Sequence, residues 1–189
     1  MAVGVEAGAE ALTLSAERIV DGTFVAHLRC EHVLADPLSV SPDEIAATVA
    51  RATVATCAQM LGVIERLLAD TLEYVKTRKQ FGVAIGSFQT VQHRMARLYV
   101  IAGQCRSAIL AAALGEAGDR NAWLRAVAAA RASVSEQALH VAHECVQFHG
   151  GIGITQELAI SRGHKQLLVL SRQFGTAAEA RRTFDRLAG

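Results

Sequence analysis

Aromatic side chains are scarce in this sequence: they make up 5% of its 189 residues, although 51% of the residues are hydrophobic. A core built from such a chain must consist mostly of Ala, Val, Leu and Ile, which favours helices that pack closely together. At this length, the chain is sufficient for one sizeable domain, or for one domain with part of another.

The sequence also lacks an excess of charge of either sign. Its formal net charge is +1, and its 19 basic residues are scattered rather than massed. We therefore expect no nucleic-acid partner. Charges interrupt the apolar stretches, so we also expect no membrane span. Residues 1–12 do not form a basic start followed by an apolar run, so we predict no signal peptide and a cytoplasmic location.

Patterns typical of metal sites are missing as well. The four cysteines lie far apart inside apolar periodic segments, which is typical of reduced core cysteines: Cys30, Cys57, Cys105 and Cys145. His140 and His143 lie three residues apart, with His149 nearby, but no carboxylate or cysteine at a matching offset completes a ligand set. We predict that these histidines lie at the surface or at an interface and that the chain has no metal site.

The first forty residues read differently from the rest. Residues 12–20 and 23–33 carry β-branched residues with partial alternation around an Asp21-Gly22 turn, which predicts a β-hairpin. Asp36-Pro37 is expected to end this segment. Because two strands alone are barely stable, the hairpin would belong to a sheet whose other strands are absent or come from another chain.

Helical periodicity dominates from Ser41 onwards. Ser41 can cap a helix, Pro42 suits its first position and Glu44 completes a capping box, so a long helix is predicted from here to about Lys76. Ser87 can cap a second helix. Three more are predicted over residues 121–148, 155–170 and 177–187. The fold class is thus all-α: an antiparallel up-and-down four-helix bundle plus a C-terminal helix, preceded by a short β-hairpin.

Residues 74–82 gather basic residues, an amide and an aromatic ring where the chain reverses after the long helix. Such a group suits a bound polyphosphate with a ring stacked beside it. The alternative is a basic helix C-terminus that complements the helix dipole, with Phe81 as an apolar plug.

Three glycines fall within four positions after Phe148: Gly150, Gly151 and Gly153. A turn this permissive lets backbone amides approach a phosphate or a ring edge closely. The alternative is an ordinary glycine-rich helix stop with a tight helix crossing.

Taken together and in order, the strings TRKQFG (residues 77–82), Phe88-Gln89 and VQFHGGIGITQE (residues 146–157) resemble the C-terminal helical domain of the acyl-CoA dehydrogenase family. The resemblance covers about residues 12–188. It implies that residues 1–40 are a remnant of that family's middle β-domain, and that residues 41–189 are its helical bundle. The family uses FAD to remove two hydrogens from the α and β carbons of an acyl thioester, and passes the electrons to an electron-transfer flavoprotein.

Members of the family are dimers or tetramers in which one subunit's bundle touches the FAD held mainly by its neighbour. The resemblance implies that Arg78 contacts the FAD diphosphate, with Gln80 nearby and Phe81 packed against the cofactor. It places three further residues against the adenosine half from the opposing subunit: Gln147, Gly150 and Gly151. Thr176 would lie near the adenine or diphosphate end.

Two departures from the family set limits on this expectation. Most members carry the catalytic base, a glutamate, immediately before a Gly-Thr pair, and here that position is Phe174. A minority place the base on the first bundle helix, in a register that falls at Ala52. Neither residue can take a proton. The family's N-terminal helical domain and complete β-domain also have no counterpart here, so the chain alone would form at best half of a cofactor site.

The first hypothesis is therefore an acyl-CoA dehydrogenase-like subunit of fatty acid or lipid metabolism that contributes to FAD binding beside a catalytic partner chain and is not catalytic alone. It would form homo- or hetero-oligomers through the bundle, act with acyl-CoA, and use electron-transfer flavoprotein if active. The alternative is a non-enzymatic oligomerisation or interaction module derived from such a bundle. Other flavin chemistry, such as nitroalkane oxidation, is disfavoured because the sequence offers no base for it.

Overall fold

The computed structural model describes residues 2–6, 12–155 and 157–189, and it divides into two compact units, Met1–Val49 and Ala50–Gly189. Each unit is described separately below. Gln156, which falls within the predicted fourth helix, lies outside the described residues.

The first unit contains two antiparallel strand pairs. The predicted hairpin is confirmed, with β2 (Leu12–Arg18) paired to β3 (Phe24–Cys30). Its turn is closed by the Ile19 amide, which donates to the Thr23 carbonyl at 2.9 Å. The second pair joins β1 (Ala2–Gly4) to β4 (Asp36–Leu38). Asp36-Pro37 was expected to end the segment, and the last strand before α1, β4, does end one residue later at Leu38. Its pairing with β1 is a feature that the sequence pattern did not reveal.

The first long helix begins as predicted. The Ser41 amide and hydroxyl donate to Glu44 Oε2 at 2.8 and 2.9 Å, and the Glu44 amide donates back to Ser41 Oγ at 3.2 Å. The hydrogen bond from the Ser41 backbone is the main reason that the pKa of Glu44 lies below its ordinary value. The capping box therefore fixes the start of α1.

Five α-helices follow the strands in the described chain, as the all-α fold class predicted. They are α1 (Pro42–Thr77), α2 (Gln89–Leu114), α3 (Arg120–His149), α4 (Ala159–Leu170) and α5 (Ala177–Ala188). A short hairpin, β5 (Lys79–Gln80) and β6 (Val83–Ala84), joins α1 to α2. The sequence had indicated only a break in this region.

In the second unit, α3 lies close to α2, α4 and α5. Its buried stripe is rich in alanine, which brings helix backbones near one another, as the scarcity of aromatics predicted. The part of α1 in this unit contributes larger buried side chains, among them Met60, Ile64 and Leu67. The indole of Trp123 donates to the Ala112 carbonyl at 2.9 Å, which satisfies its polar atom inside the core.

Two helix starts differ from prediction. Ser87 does not cap α2: Phe88 precedes that helix, and the Ser87 hydroxyl donates instead to the Ala84 carbonyl at 2.7 Å, since residues 85–87 form a 3₁₀ turn. The fourth helix begins at Ala159 rather than Thr155, since Thr155 and Leu158 are both extended, with ψ of 163° and 146°.

Helix α1 and the stretch Gln89–Ala117 are long and apolar enough to cross a membrane by length and composition alone. Core helices of soluble bundles meet the same criterion, and one side of each of these helices contributes to the buried core. The absence of a membrane span therefore remains a prediction.

Candidate functional site

The basic segment after α1 is held by its backbone and leaves its side chains exposed. The Arg78 amide donates to the Tyr74 carbonyl at 2.8 Å, and its carbonyl accepts from the Ile85 amide at 2.8 Å. The guanidinium of Arg78 forms no hydrogen bond or ion pair with any residue that the structure describes, and the neighbouring Lys79 and Gln80 are also exposed. We call Arg78 and the hairpin Lys79–Ala84 the α1 tip.

The α1 tip presents an aromatic ring in a strained backbone conformation. Phe81 and Gly82 form the two-residue turn of the hairpin, and both have positive φ, 53° and 84°. Such turns favour Asn-Gly, and the left-handed conformation costs a residue with a Cβ about 1–2 kcal/mol. Phe81 is nevertheless 92% exposed, with only an edge-on contact to Phe88 at 6.4 Å. Nothing within the described chain compensates for this arrangement, which suits a ring that stacks on a bound ligand.

A second predicted segment lies directly beside the α1 tip. The ring of Tyr74, in the last turn of α1, stacks on His149 at the end of α3, with centroids 4.2 Å apart and an interplanar angle of 26°. His149 Nδ1 also forms a hydrogen bond with the Cys145 carbonyl at 2.8 Å. His149 is buried inside the chain, so the expectation that it lies at the surface or at an interface is wrong, since its ring joins the two segments.

The three glycines of the turn after α3 differ in what the structure requires at their positions. Gly150 has φ 64° and ψ −146°, a conformation that essentially only glycine adopts. A Cβ on Gly153 would lie 2.7 Å from the Val146 carbonyl oxygen, so this position has no room for a side chain. A Cβ on Gly151 would meet no described atom within 4 Å. The helix-stop interpretation therefore explains Gly150 and Gly153 but not Gly151.

Gln147 is exposed in the last turn of α3, next to this glycine turn. The structure thus brings six of the seven predicted cofactor residues to one end of the bundle: Arg78, Gln80, Phe81, Gln147, Gly150 and Gly151. An unpaired guanidinium suits a diphosphate, and an exposed ring and a bare glycine suit a flat heterocycle, so these residues fit FAD. Their contact with a cofactor remains a prediction.

Thr176, the seventh predicted cofactor residue, lies away from these six and has a local structural role. It caps α5 in a capping box, where its amide and hydroxyl donate to Glu179 Oε2 at 2.7 and 2.8 Å. The backbone hydrogen bond from Thr176 is the main reason that the pKa of Glu179 lies below its ordinary value. A cofactor contact by Thr176 would have to coexist with this cap.

Sequence reasoning missed Arg131, which controls the turn that carries Phe174. Arg131 is only 2% exposed, and its Nη2 donates to the carbonyls of Leu170 at 2.9 Å, Gly175 at 2.8 Å and Gln173. Burial lowers its pKa. A positive guanidinium at the C-terminal end of α4 also complements the helix dipole. Its place on the buried stripe of α3, between Val127 and Val134, was the signal available in the sequence.

Phe174, which the resemblance places at the position of the family's usual base, lies in the turn that Arg131 holds. It is 54% exposed and has φ 53°, and Gly175 after it has φ 103°. Ala52, the other candidate position, is a half-buried residue of α1 whose carbonyl accepts the Thr56 hydroxyl at 2.9 Å. The alkyl and aromatic side chains at both positions leave each without a proton acceptor.

The Phe174 turn is far from the α1 tip. Arg131 Nη1 approaches Met60 Sδ at 3.6 Å, so the turn that Arg131 holds lies at about the position of Met60 along the axis of α1. Tyr74 lies 14 residues further along the helix. At 1.5 Å per residue, the two regions are therefore separated by about 21 Å along the helix axis.

No group of three or more potential metal ligands occurs among the described residues. His140 and His143 are both exposed, as expected, and the ring of His143 lies beside that of His164 of α4, with ring centroids 5.0 Å apart. Burial is the main reason that the pKa of His164 lies below 6.5, with the charges of His143 and Lys165 acting in the same direction.

Comparison with known proteins agrees with this geometry. The family model described as acyl-CoA dehydrogenase, C-terminal domain, matches residues 45–186. The chain therefore belongs to the acyl-CoA dehydrogenase family, a family of FAD-dependent oxidoreductases, which confirms the resemblance in the sequence.

Among its relatives is acyl-CoA dehydrogenase IpdE2 of Mycobacterium tuberculosis, 40% identical over 153 residues, which cover 81% of this chain and 42% of IpdE2. The Tcur3481-Tcur3483 steroid ACAD variant superposes with a TM-score of 0.90 at 28% identity, over 98% of this chain and 51% of that one. The ChsE4-ChsE5 complex from Mycobacterium tuberculosis matches with a TM-score of 0.85 at 28% identity, over 96% and 50%. The chain thus spans about half the length of these proteins.

Proposed function

We propose that this chain is a subunit of an acyl-CoA dehydrogenase assembly, in which it contributes to FAD binding while a partner chain supplies the catalytic base. The observation that carries the proposal is the α1 tip beside the glycine turn. Arg78, Phe81 and Gly151 are presented there together, and contacts within the described chain explain none of the three.

Each of these residues has a physical role in the proposed site. Arg78 would bind the diphosphate through paired hydrogen bonds from its guanidinium. Phe81 would pack against the cofactor, and Gly151 would allow its backbone to approach the adenosine half. The bound FAD would supply the oxidising power for removing two hydrogens from the α and β carbons of an acyl-CoA thioester.

The need for a partner follows from two side chains. Phe174 and Ala52 occupy the two base positions known in the family, so this chain cannot remove the α proton from either one. The ChsE4-ChsE5 match supports a mixed assembly, since that relative is described as a complex of two named proteins. Acyl-CoA as substrate and electron-transfer flavoprotein as acceptor belong to the same proposal.

The test is flavin retention in an assembly with the product of the adjacent open reading frame. The co-purified complex should show flavin absorbance, and Arg78→Ala should reduce the flavin content per chain. Arg66→Ala is the matched control, because Arg66 is an exposed arginine of α1 outside the α1 tip. Colourless assemblies with and without the second protein would contradict the proposal and favour the non-enzymatic oligomerisation module instead.

A further inference from the structure

A cavity of about 360 Å³ opens between the last turns of α1, the start of α2 and the β5–β6 hairpin. Its walls are largely aliphatic: Leu72 and Val75 come from α1, Val91 and Met95 from α2, and Ala84 from the hairpin. Val75 and Met95 are only 3% and 5% exposed, so they form its floor. Of the described residues that line the cavity, none is among the seven predicted to contact FAD. Small-molecule sites usually measure about 300–1,000 Å³, so the cavity is large enough for a ligand of its own.

The wall of the cavity beside the hairpin is fixed by contacts within the chain. A Cβ on Gly86 would lie 2.9 Å from the Val75 carbonyl oxygen, so a side chain there would displace the 3₁₀ turn from α1. The Gln92 side-chain amide donates to the Gly86 carbonyl at 3.0 Å, which fastens the same turn to α2. The Ile85 amide, which donates to the Arg78 carbonyl at 2.8 Å, closes the base of the hairpin. The cavity is therefore preformed, as most small-molecule sites are.

Positive charge lies at the mouth of the cavity. Lys76 lines the cavity and is exposed, with its Nζ 2.8 Å from Glu73 Oε1. Lys79 pairs with Ala84 across the hairpin, and cross-strand partners project from the same face, so the Lys79 side chain leaves the hairpin on the cavity side. It forms no hydrogen bond or ion pair with any residue that the structure describes. Because an exposed pair such as Lys76–Glu73 contributes little, both ammonium groups can bind an anion.

We propose that this cavity binds a medium-chain carboxylate, with the alkyl chain between α1 and α2 and the carboxylate against Lys76 and Lys79. The described lining contains no aromatic ring, so it suits a flexible alkyl chain better than a flat heterocycle. Two lysines and Glu73 give the mouth a net charge of +1, which complements a monoanion. A ligand in this position would also contact the hairpin that carries Phe81. The proposal does not require FAD.

Isothermal titration calorimetry of the full chain with sodium butanoate, hexanoate and octanoate tests the alkyl site. Burial of a methylene strengthens binding about fourfold, so the Kd should fall about 15-fold with each step of two carbons. A Kd that does not depend on chain length, or an absence of binding by octanoate, would overturn the proposal.

The two lysines test the carboxylate site. Lys76→Gln combined with Lys79→Gln should weaken octanoate binding about tenfold and leave 1-octanol binding unchanged, because only octanoate carries a charge. Lys165→Gln combined with Arg97→Gln removes the same charge from α4 and α2 outside the cavity lining, and should affect neither ligand. Equal losses for octanoate and 1-octanol, or none for octanoate, would show that the cavity selects only an apolar group, such as a side chain of another protein. Either result would refute the proposed ligand class.

Two further measurements locate the bound ligand. Ala84→Leu places a larger side chain on the cavity wall and should weaken octanoate binding at least about tenfold. In the parent chain, octanoate should slow hydrogen exchange of the Ile85 amide, which donates to the Arg78 carbonyl. Unchanged affinity in a folded Ala84→Leu variant, or protection confined to the separate groove between Tyr99 and Arg106, would contradict the assignment. None of these readouts involves flavin, so this proposal and the proposed function can fail separately.

Discussion

Replacement of Arg131 by methionine should loosen the turn that carries Phe174 while leaving the rest of the bundle intact. Arg131→Met keeps an unbranched side chain of similar length but removes the donors to the carbonyls of Leu170, Gln173 and Gly175. Each of these carbonyls then loses the hydrogen bond that it forms with the guanidinium.

Two effects of opposite sign decide the magnitude. An unsatisfied buried carbonyl costs about 1–3 kcal/mol, and the lower figure applies here because this turn is partly exposed. Three carbonyls then give a loss of about 3 kcal/mol. The opposing effect stabilises the variant: methionine is uncharged, so it avoids the cost of burying a charge, which is also what lowers the pKa of Arg131. For a chain of this length, a loss of about 3 kcal/mol corresponds to a fall in Tm of about 6–12 °C.

Thermal unfolding followed by circular dichroism measures the stability change, and limited trypsin digestion measures the local one. Arg172 is exposed within the same turn, so cleavage after it should accelerate in Arg131→Met. Arg131→Lys should give an intermediate result, since an ammonium cannot reproduce the guanidinium fork. The matched control for Tm is Arg172→Met. An unchanged or higher Tm for Arg131→Met would show that desolvation outweighs the three hydrogen bonds, and would refute this account of the turn.

Three further predictions concern single positions. Gly151→Ala should change the free energy of unfolding by less than about 0.5 kcal/mol, whereas Gly150→Ala should lower it by about 1–2 kcal/mol because of its positive φ, as chemical denaturation can measure. His164 has a pKa depressed below 6.5, so its contribution to stability is complete above pH 6.5 and is lost as pH falls through the folded-state pKa. Urea titrations from about pH 5 to about pH 8 should show a flatter pH dependence for His164→Gln and an unchanged one for His140→Gln. Phe81→Asn should raise the free energy of unfolding by about 1 kcal/mol, because Asn adopts the left-handed conformation more readily, while reducing flavin retention in the proposed assembly. Equal stabilities for the two glycine variants, parallel pH curves for the two histidine variants, or a less stable Phe81→Asn would each contradict the corresponding argument.

Local signals of helix start and periodicity were sufficient for much of the fold. The capping box at Ser41 and the apolar stripe after it fixed α1 to within a residue of its observed end, because both are properties of neighbouring residues. The start of α5 at Ala177 was equally accessible from sequence. The fourth helix was predicted four residues too early because Thr155 and Leu158 are extended, and no capping or breaking residue in the sequence marked the later start at Ala159.

The features that sequence did not reveal depend on residues distant in the chain. Strand β4 forms because it pairs with β1, more than thirty residues away, and neither three-residue segment has a strand pattern of its own. Arg131 takes its role from carbonyls of a turn about forty residues further on. Likewise, nothing local distinguishes Gly151, which has open space around it, from Gly153, which has none. The motif strings located the candidate site, but only the packed structure shows which residues serve the fold.

The two Phe-Gly pairs have similar backbone conformations but are held in place by different parts of the fold. Phe81-Gly82 and Phe174-Gly175 both have positive φ throughout, and both place an exposed ring on a turn. The first turn is closed by a hairpin of its own, and the second is held by a buried guanidinium from α3. They lie at levels about 21 Å apart along α1, so a compact ligand cannot contact both rings of one chain. Because left-handed phenylalanine is unfavourable and neither ring is buried within the described chain, contacts outside the chain offer a physical reason for both. In the proposed assembly, the α1 tip would make these contacts with a cofactor, while the Phe174 turn faces a separate surface.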